Sequence, residues 1–153
     1  MVDIVSTEVR SRMMSGIRSK DTIPEIIVRK GLHRLGFRYR VNDRRIPGKP
    51  DLHFPKWNAL VFVHGCFWHG HDCHLFRLPK TRTGFWNAKI EKNRERDRLT
   101  ESNLLAGGWR LAIVWECALK GRQRLEQQQM LDGLASWLRS DQVRIDIRGK
   151  SFD

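Results

Sequence analysis

Four histidines and two cysteines lie within the eleven residues HGCFWHGHDCH, from 64 to 74. Tetrahedral zinc takes four nitrogen or sulfur ligands, and closely spaced ligands in one loop are commonly joined by a distant residue that docks against it. Cys66 and Cys73 lie in this loop, and Cys117, the third cysteine of the chain, ends a predicted strand. The sequence therefore predicts a structural Cys3His zinc site, with buried inert cysteines as the alternative.

The loop holds more histidines than a closed zinc site needs. Spacing alone does not choose among His69, His71 and His74 as the nitrogen ligand. The surplus imidazoles could serve catalysis, because a neutral imidazole near pH 7 can accept a proton from water. For any single histidine, a polar loop residue is the competing interpretation.

A carboxylate at a predicted strand start is a second candidate for chemistry. The segment PGKPD places Asp51 directly after a turn, where its side chain can hold Mg²⁺ for attack on a phosphodiester. The next strand, ALVFV, leads into His64 and could bring that imidazole near Asp51. The usual second-strand Asp/Glu-x-Lys is absent, so histidines would take over part of the work. Glu25 and Asp97 are, on spacing alone, a first-turn helix acid and one member of a solvated charge run.

Aromatic residues interrupt the polar metal loop and the charged segment that follows it. Phe67 and Trp68 lie between metal-ligand candidates, and Phe85 and Trp86 lie near the start of a predicted helix. Aromatic side chains of a basic protein can stack on or wedge between bases. For Phe67 and Trp68 the sequence supports base contact and core packing equally. Core packing is the expectation for Trp109, Trp115 and Trp137.

The composition favours a nucleic-acid partner. Lysines and arginines number 29 against 17 acids, which gives a formal charge of +12. No basic helix shows the clean apolar face of a membrane-surface helix, no run of about 18 apolar residues is present, and the N-terminus does not resemble a secretory signal. Three cysteines are too few for a disulfide framework, so a cytoplasmic location is expected.

Several elements must position these residues. Hydrophobic periodicity, caps and turn residues predict an α/β fold with a mixed sheet flanked by helices. The predicted helices cover 6–18, 22–36, 84–106 and about 123–139, and the predicted strands cover 37–41, 51–54, 59–63 and 109–117. The closing segment RIDIRGKSFD is expected to be loosely attached. The expected organisation is an N-terminal arm (1–20), one domain (21–140) and a C-terminal tail (141–153).

The chain resembles the very short patch repair (Vsr) endonucleases from about residue 8 to residue 121. The resemblance implies a restriction-endonuclease-like fold and a Mg²⁺-dependent hydrolase. Such an enzyme nicks one strand on the 5′ side of the thymine in T:G mismatches, which arise when 5-methylcytosine deaminates. The motifs that carry the resemblance are RSRMMSGIRSKDTIPE, PGKPDL, VHGCFWHGHDC, TRTGFW, KNRERDR and VWECAL.

The resemblance also implies roles for particular residues. Mg²⁺ is expected on Asp51 and on the main-chain carbonyl of Val63, with Glu25 contacting water on the metal. His69 is expected to be the general base, and His64 and Asp97 to orient it or the scissile phosphate. The expected zinc ligands are Cys66, His71, Cys73 and Cys117.

The resemblance further implies a way of holding double-stranded DNA. The expected wedges beside the mismatch are Phe67, Trp68 and Trp86 from the major groove, with Met14 and Ile17 entering the minor groove. Phosphate contacts are expected from Lys80, Arg82, Lys89 and Lys92. A monomer is expected, and other mismatch-repair proteins could assist it. The alternatives are a restriction-type or general nicking nuclease that needs no mismatch, and a catalytically silent, zinc-stapled DNA-binding protein.

Overall fold

The computed structural model describes residues 21–151. The whole predicted arm (1–20), including the predicted N-terminal helix with Met14 and Ile17, lies outside the described residues. None of the described helices is both long and apolar enough to cross a membrane.

A mixed sheet forms the centre of the described chain. Its strands lie in the order β1-β2-β3-β4-β5, with antiparallel pairing from β1 to β3 and parallel pairing from β3 to β5. The five strands are β1 (Arg40–Val41), β2 (Leu52–Phe54), β3 (Ala59–His64), β4 (Arg110–Trp115) and β5 (Arg144–Ile147). The described helices are α1 (Ile23–Arg34), α2 (Thr83–Ala106) and α3 (Gln127–Arg139), and single 3-10 turns cover Pro55–Trp57 and Glu116–Ala118.

Helix α1 begins where the sequence predicts and ends at Arg34, two residues before the predicted end at Gly36. The side chain of Thr22 caps its N-terminus by accepting a hydrogen bond from the N–H of Glu25. Its buried face carries Val28, Gly31 and Leu32. Gly31 is needed there, because a Cβ at this position would lie 2.3 Å from a methyl carbon of Leu131 in α3. Helices α1 and α3 therefore cover the same face of the sheet.

The alternation of side chains in β3 and β4 divides the core into two layers. Val61 and Val114 face the layer with α1 and α3, whereas Phe62 and Ile113 face the layer that contains Leu104 of α2. His64 and Trp115 follow Phe62 and Ile113 by two residues, so they point to the α2 side. The two residues are also register partners across β3 and β4.

The structure corrects three predicted boundaries and one predicted attachment. Only Arg40–Val41 of the predicted 37–41 strand pairs with a neighbour. Strand β4 ends at Trp115, and Cys117 lies in the 3-10 turn that follows rather than in the strand. The last helix begins at Gln127. The expected loose attachment of the C-terminal segment was wrong for Arg144–Ile147, because these residues pair in parallel with β4.

Candidate active site and metal centre

Helix α2 fixes the loop that follows β3 and carries the metal-ligand candidates. The side-chain amide of Asn93 donates to the carbonyl of Trp68 at 2.9 Å, and the guanidinium of Arg94 donates to the carbonyl of Gly70 at 3.1 and 2.7 Å. Gly70 has a positive φ of 60°, and a Cβ there would lie 2.3 Å from Nε of Arg94. The loop can therefore pack this closely on α2 only with glycine at that position.

Three thiols and one imidazole converge in the protein. The ligand atoms of Cys66, His71, Cys73 and Cys117 all lie within 4.8 Å of one another. Nδ1 of His71 is 3.5 Å from Sγ of Cys66 and 3.6 Å from Sγ of Cys117. A tetrahedral zinc ion, with Zn–S of about 2.3 Å and Zn–N of about 2.0–2.1 Å, requires N···S edges of about 3.6 Å. The cluster could therefore hold a tetrahedral metal ion.

The structure separates the three histidines that spacing left equivalent. Nδ1 of His69 is 2.6 Å from Oδ2 of Asp97, and Nδ1 of His74 is 2.5 Å from Oε1 of Gln123. Only His71 joins the three cysteines in the described cluster. It is the residue that the resemblance implied.

Cys117 is prepared to act as a thiolate. A hydrogen bond from Cys66, helped by the imidazole of His71 and the N–H of Gly149, lowers the pKa of Cys117 to about 4 against the opposing effect of burial. The N–H of Gly149 donates to Sγ of Cys117 at 3.3 Å. Thiolate is the form that binds metal, so these contacts favour ligation.

His64 and His69 form a stacked pair beside this cluster. Their ring centroids are 3.7 Å apart and their planes are within 1° of parallel. Burial holds the pKa of His64 well below its ordinary value, so His64 is neutral. The described residues offer no hydrogen-bond partner to its buried Nδ1. The side chain of His69 is 24% exposed, and its Nδ1 lies 2.6 Å from Oδ2 of Asp97, a contact that in a neutral ring places the N–H at Nδ1 and the lone pair at Nε2.

Asp51 and Glu25 form a crowded carboxylate pair. Oδ2 of Asp51 accepts the N–H of Val63 at 2.6 Å. Oε2 of Glu25 accepts the N–H of Asp21 at 2.8 Å and Nη2 of Arg29 at 3.1 Å. Burial, reinforced by the charge of Glu25, raises the pKa of Asp51 to about 7 against the opposing hydrogen bond from Val63. Two neighbouring acids with one guanidinium are under-neutralised, so a hard divalent cation suits them.

Two adjoining cavities meet at the histidine pair. The larger, of about 700 Å³, is lined partly by Phe67, Trp68, Trp86 and Lys89. The smaller, of about 540 Å³, is lined partly by Asp51 and Asp97. Both cavities include Glu25, Val63, His64, His69 and Arg96 in their walls.

The aromatic wall lies apart from both core layers. Ring centroids are 5.1 Å apart for Phe67 and Trp68, 5.6 Å for Phe67 and Trp86, and 5.9 Å for Trp68 and Trp86. All three side chains are partly exposed and line the larger cavity. They are therefore placed where a ligand in that cavity would meet them.

The sequence analysis did not single out Arg96, although a local signal was available. Arg94 and Arg98 have glutamates three residues before them and form ion pairs with Glu91 and Glu95. Arg96 has Asn93 in that position and donates to its Oδ1 at 3.0 Å. No carboxylate within residues 21–151 forms an ion pair with Arg96, so its charge is available at the junction of the cavities.

Comparisons with known proteins identify the family of this chain. Residues 2–75 match the family model described as DNA mismatch endonuclease Vsr. The chain is 42% identical over 151 residues to the DNA mismatch endonuclease Vsr of Escherichia coli, covering 97% of each protein. It is 48% identical over 126 residues to the type II nicking enzyme V.XorIIP of Xanthomonas oryzae pv. oryzae, covering 82% of this chain and 93% of that protein. It is also 50% identical over 122 residues to the type II nicking enzyme V.NmeAIP of Neisseria meningitidis, covering 80% and 87%. The chain belongs to the Vsr family of DNA mismatch endonucleases, and it is a nuclease that hydrolyses DNA phosphodiester bonds.

Proposed function

We propose that this nuclease has a restriction-endonuclease-like fold, depends on Mg²⁺, and nicks one strand on the 5′ side of the thymine in a T:G mismatch. The observation that carries the proposal is the junction of the two cavities. There the stacked pair of His64 and His69 lies between a carboxylate wall and an aromatic wall, and Asp97 is hydrogen-bonded to His69. A phosphodiester at this junction would be beside the proton acceptor, while the bases next to it would face the aromatic rings.

The carboxylate wall would hold the catalytic metal. Asp51 and the main-chain carbonyl of Val63 would be its ligands, with Glu25 beside them. When bound, Mg²⁺ would stabilise the negative charge that develops on the phosphate oxygens. The raised pKa of Asp51 supports this assignment, because a cation would relieve the repulsion between Asp51 and Glu25.

His69 would act as the general base. Asp97 accepts the N–H at Nδ1 and so directs the free electron pair of Nε2 toward a water molecule. As water attacks phosphorus, its proton passes to Nε2 and the bond from phosphorus to the 3′ oxygen breaks. The 3′ oxygen takes a proton from solvent, which leaves a 3′-hydroxyl and a 5′-phosphate. His64, kept neutral by burial, would hold the plane of the His69 ring through stacking.

The aromatic wall would select the mismatch. A T:G pair is a wobble pair, so separating it from its neighbour should cost less than the few kcal/mol required in a matched duplex. Phe67, Trp68 and Trp86 would enter the opened step. Lys89, in the wall of the same cavity, would contact a phosphate. Lys80, Arg82 and Lys92 would add further phosphate contacts, and Met14 and Ile17 would reach the minor groove.

The Cys3His cluster would carry structural zinc. Thiolate and imidazole ligands suit zinc, and four protein ligands leave no position for a substrate. The ion would tie the aromatic loop to the turn after β4, where Cys117 lies. With zinc in this structural role, the carboxylates and histidines would carry out the chemistry. The protein would act as a monomer that cuts one strand.

A second candidate function is nicking without a mismatch requirement. It is favoured by the names of two relatives, which describe them as type II nicking enzymes. A purely DNA-binding role is disfavoured, because the histidine pair, Asp97 and the carboxylate pair are all assembled.

The test uses end-labelled duplexes with T:G or C:G at one position, placed in several methyltransferase-site contexts, with Mg²⁺ present. We expect one nick 5′ to the mismatched thymine, and no nick with Asp51→Ala at unchanged DNA affinity. Asp132→Ala, an exposed acid on α3, serves as the matched control and should cut normally. Equal cutting of both duplexes would establish the second function instead, and binding without cutting under any divalent ion would refute both.

A further inference from the structure

Trp115 lies between the Cys3His cluster and the histidine pair. Its ring is stacked on His71, with centroids 3.9 Å apart and planes 6° from parallel. The same ring meets His64 edge to face at 5.2 Å and 76°, and His69 at 6.4 Å and 77°. One side chain thus contacts a metal-ligand candidate and both imidazoles of the pair.

The position of Trp115 follows from strand register rather than from core packing alone. It ends β4 opposite His64 at the end of β3, and both side chains point to the α2 side of the sheet. Trp115 is only partly buried, at the margin of the core layer beneath α2. At this margin the indole contacts both the core layer and the imidazoles of His64 and His71.

Hydrogen bonds fix the orientation of the indole. Its Nε1–H donates to Oδ1 of Asp146 in β5 at 3.0 Å. Asp146 also forms an ion pair with Arg144. Arg144 in turn donates to both carboxylate oxygens of Glu101 in α2, at 3.1 and 3.2 Å. The ring is therefore held from the edge strand and from the helix that carries Asp97.

We propose that Trp115 is a positioning residue for the nicking reaction. It holds the two imidazoles in one stacked orientation. Because its ring also stacks on His71, it restricts their movement relative to the Cys3His cluster. The inference rests on the roles proposed above for His64 and His69. A displacement of about 1 Å in a reacting group can lower a rate by roughly 100-fold, so loss of this support should slow the chemical step rather than binding.

Zinc-loaded full-length protein would be tested with the T:G duplex under single-turnover conditions. We expect Trp115→Leu to lower the rate at saturation by about 10- to 100-fold, with the Kd for DNA and the zinc content within about twofold of wild type. Trp115→Phe should recover most of the rate, because a phenyl ring can stack on His71 and still meet His64. Trp57→Leu is the matched control and should react at the wild-type rate, since Trp57 packs against the opposite core layer.

The anchor of the indole supplies a second test that leaves the ring in place. Asp146→Ala should lower the single-turnover rate by about 3- to 10-fold, whereas Asp146→Asn keeps an acceptor for the indole and should lower it less. If Trp115→Leu does not fold, Asp146→Ala tests the positioning role of Trp115 instead.

Three results would overturn the proposal. The first is a wild-type single-turnover rate for folded Trp115→Leu. If Trp115→Leu does not fold, a wild-type rate for Asp146→Ala has the same meaning. The second is a loss of rate that follows a matching loss of zinc or of DNA affinity, since Trp115 would then support the metal cluster or the DNA surface alone. The third is a single-turnover rate for Trp115→Phe that is as low as that of Trp115→Leu. Undiminished nicking by His69→Ala would instead refute the proposed function on which the inference rests.

Discussion

Replacing Asp51 with asparagine should stabilise the fold in the absence of Mg²⁺. Oδ2 of Asp51 accepts the N–H of Val63 at 2.6 Å, and an asparagine carbonyl can accept the same hydrogen bond. Burial and the charge of Glu25 raise the pKa of Asp51 from 3.8 to about 7. The charged carboxylate is therefore a cost to folding that asparagine does not carry, and we expect the variant to lose activity while gaining stability.

The sign and size of the effect follow from proton linkage. A raised pKa means that the folded protein keeps a proton which the unfolded chain releases, so stability falls as pH rises from 3.8 to about 7 and then levels off. A rise of roughly three pKa units corresponds to about 4 kcal/mol as an upper limit. Because the carboxylate is partly exposed to water, we expect about 1–3 kcal/mol.

Urea unfolding followed by circular dichroism would measure this difference. Both proteins would be zinc-loaded and studied without Mg²⁺ and without a chelator, since a chelator would strip the cysteine cluster. The stability advantage of Asp51→Asn should be small near pH 4 and full near pH 8. Added Mg²⁺ should stabilise wild type by mass action and leave the variant unchanged. An Asp132→Asn control on the exposed face of α3 should show no such pH dependence.

Two results would refute this reasoning. Asp51→Asn could prove no more stable than wild type near pH 8, which would mean that the carboxylate is well solvated in the fold. Alternatively, the difference could stay constant across the pH range, which would assign it to packing rather than to charge.

Three further predictions concern the zinc cluster, its support and the DNA surface. Cys117→Ser should lower both zinc content and melting temperature, because metal-binding energy is folding energy, and unchanged values of both would disprove the zinc assignment. Gly149→Ala should lower the free energy of unfolding by about 1–3 kcal/mol, because a Cβ there would lie 2.5 Å from the carbonyl oxygen of Cys117. Gly133→Ala, where a Cβ meets open space on α3, should instead be neutral or stabilising in the same urea titration. Arg96→Gln should weaken DNA binding and make the slope of log K for binding against log salt concentration shallower by about 0.9. Arg98→Gln should change this slope less, because Arg98 is paired with Glu95. Equal slopes for the two variants would contradict this prediction.

The local elements could be predicted because their signals are local. Thr22 and Pro24 mark the start of α1 through a cap and a pre-set backbone angle. The continuous apolar runs of β3 and β4 predict central strands that are buried on both faces. Three cysteines with nearby histidines restrict the metal site to a few ligand sets before any coordinates are known.

Strand β5 could not be predicted with the same methods. Its four residues, RIDI, alternate two isoleucines with charged residues, and so short a pattern is common in surface segments. Parallel pairing with β4 is what makes it a strand, and that pairing depends on the whole sheet. As a result, the contributions of Asp146 to the indole of Trp115 and of Gly149 to Cys117 also escaped the sequence analysis.

The sequence by itself determined the kinds of chemistry available: thiols and imidazoles for a tetrahedral metal, an acid at a strand start, and aromatic side chains in a basic chain. Only the tertiary structure decided which histidine serves which purpose. His69 binds an aspartate 28 residues away, and His71 meets a cysteine 46 residues away. Spacing within a loop is a property of the chain, whereas these contacts depend on strand register and on the packing of α2 against the loop, which join residues that have no local relation.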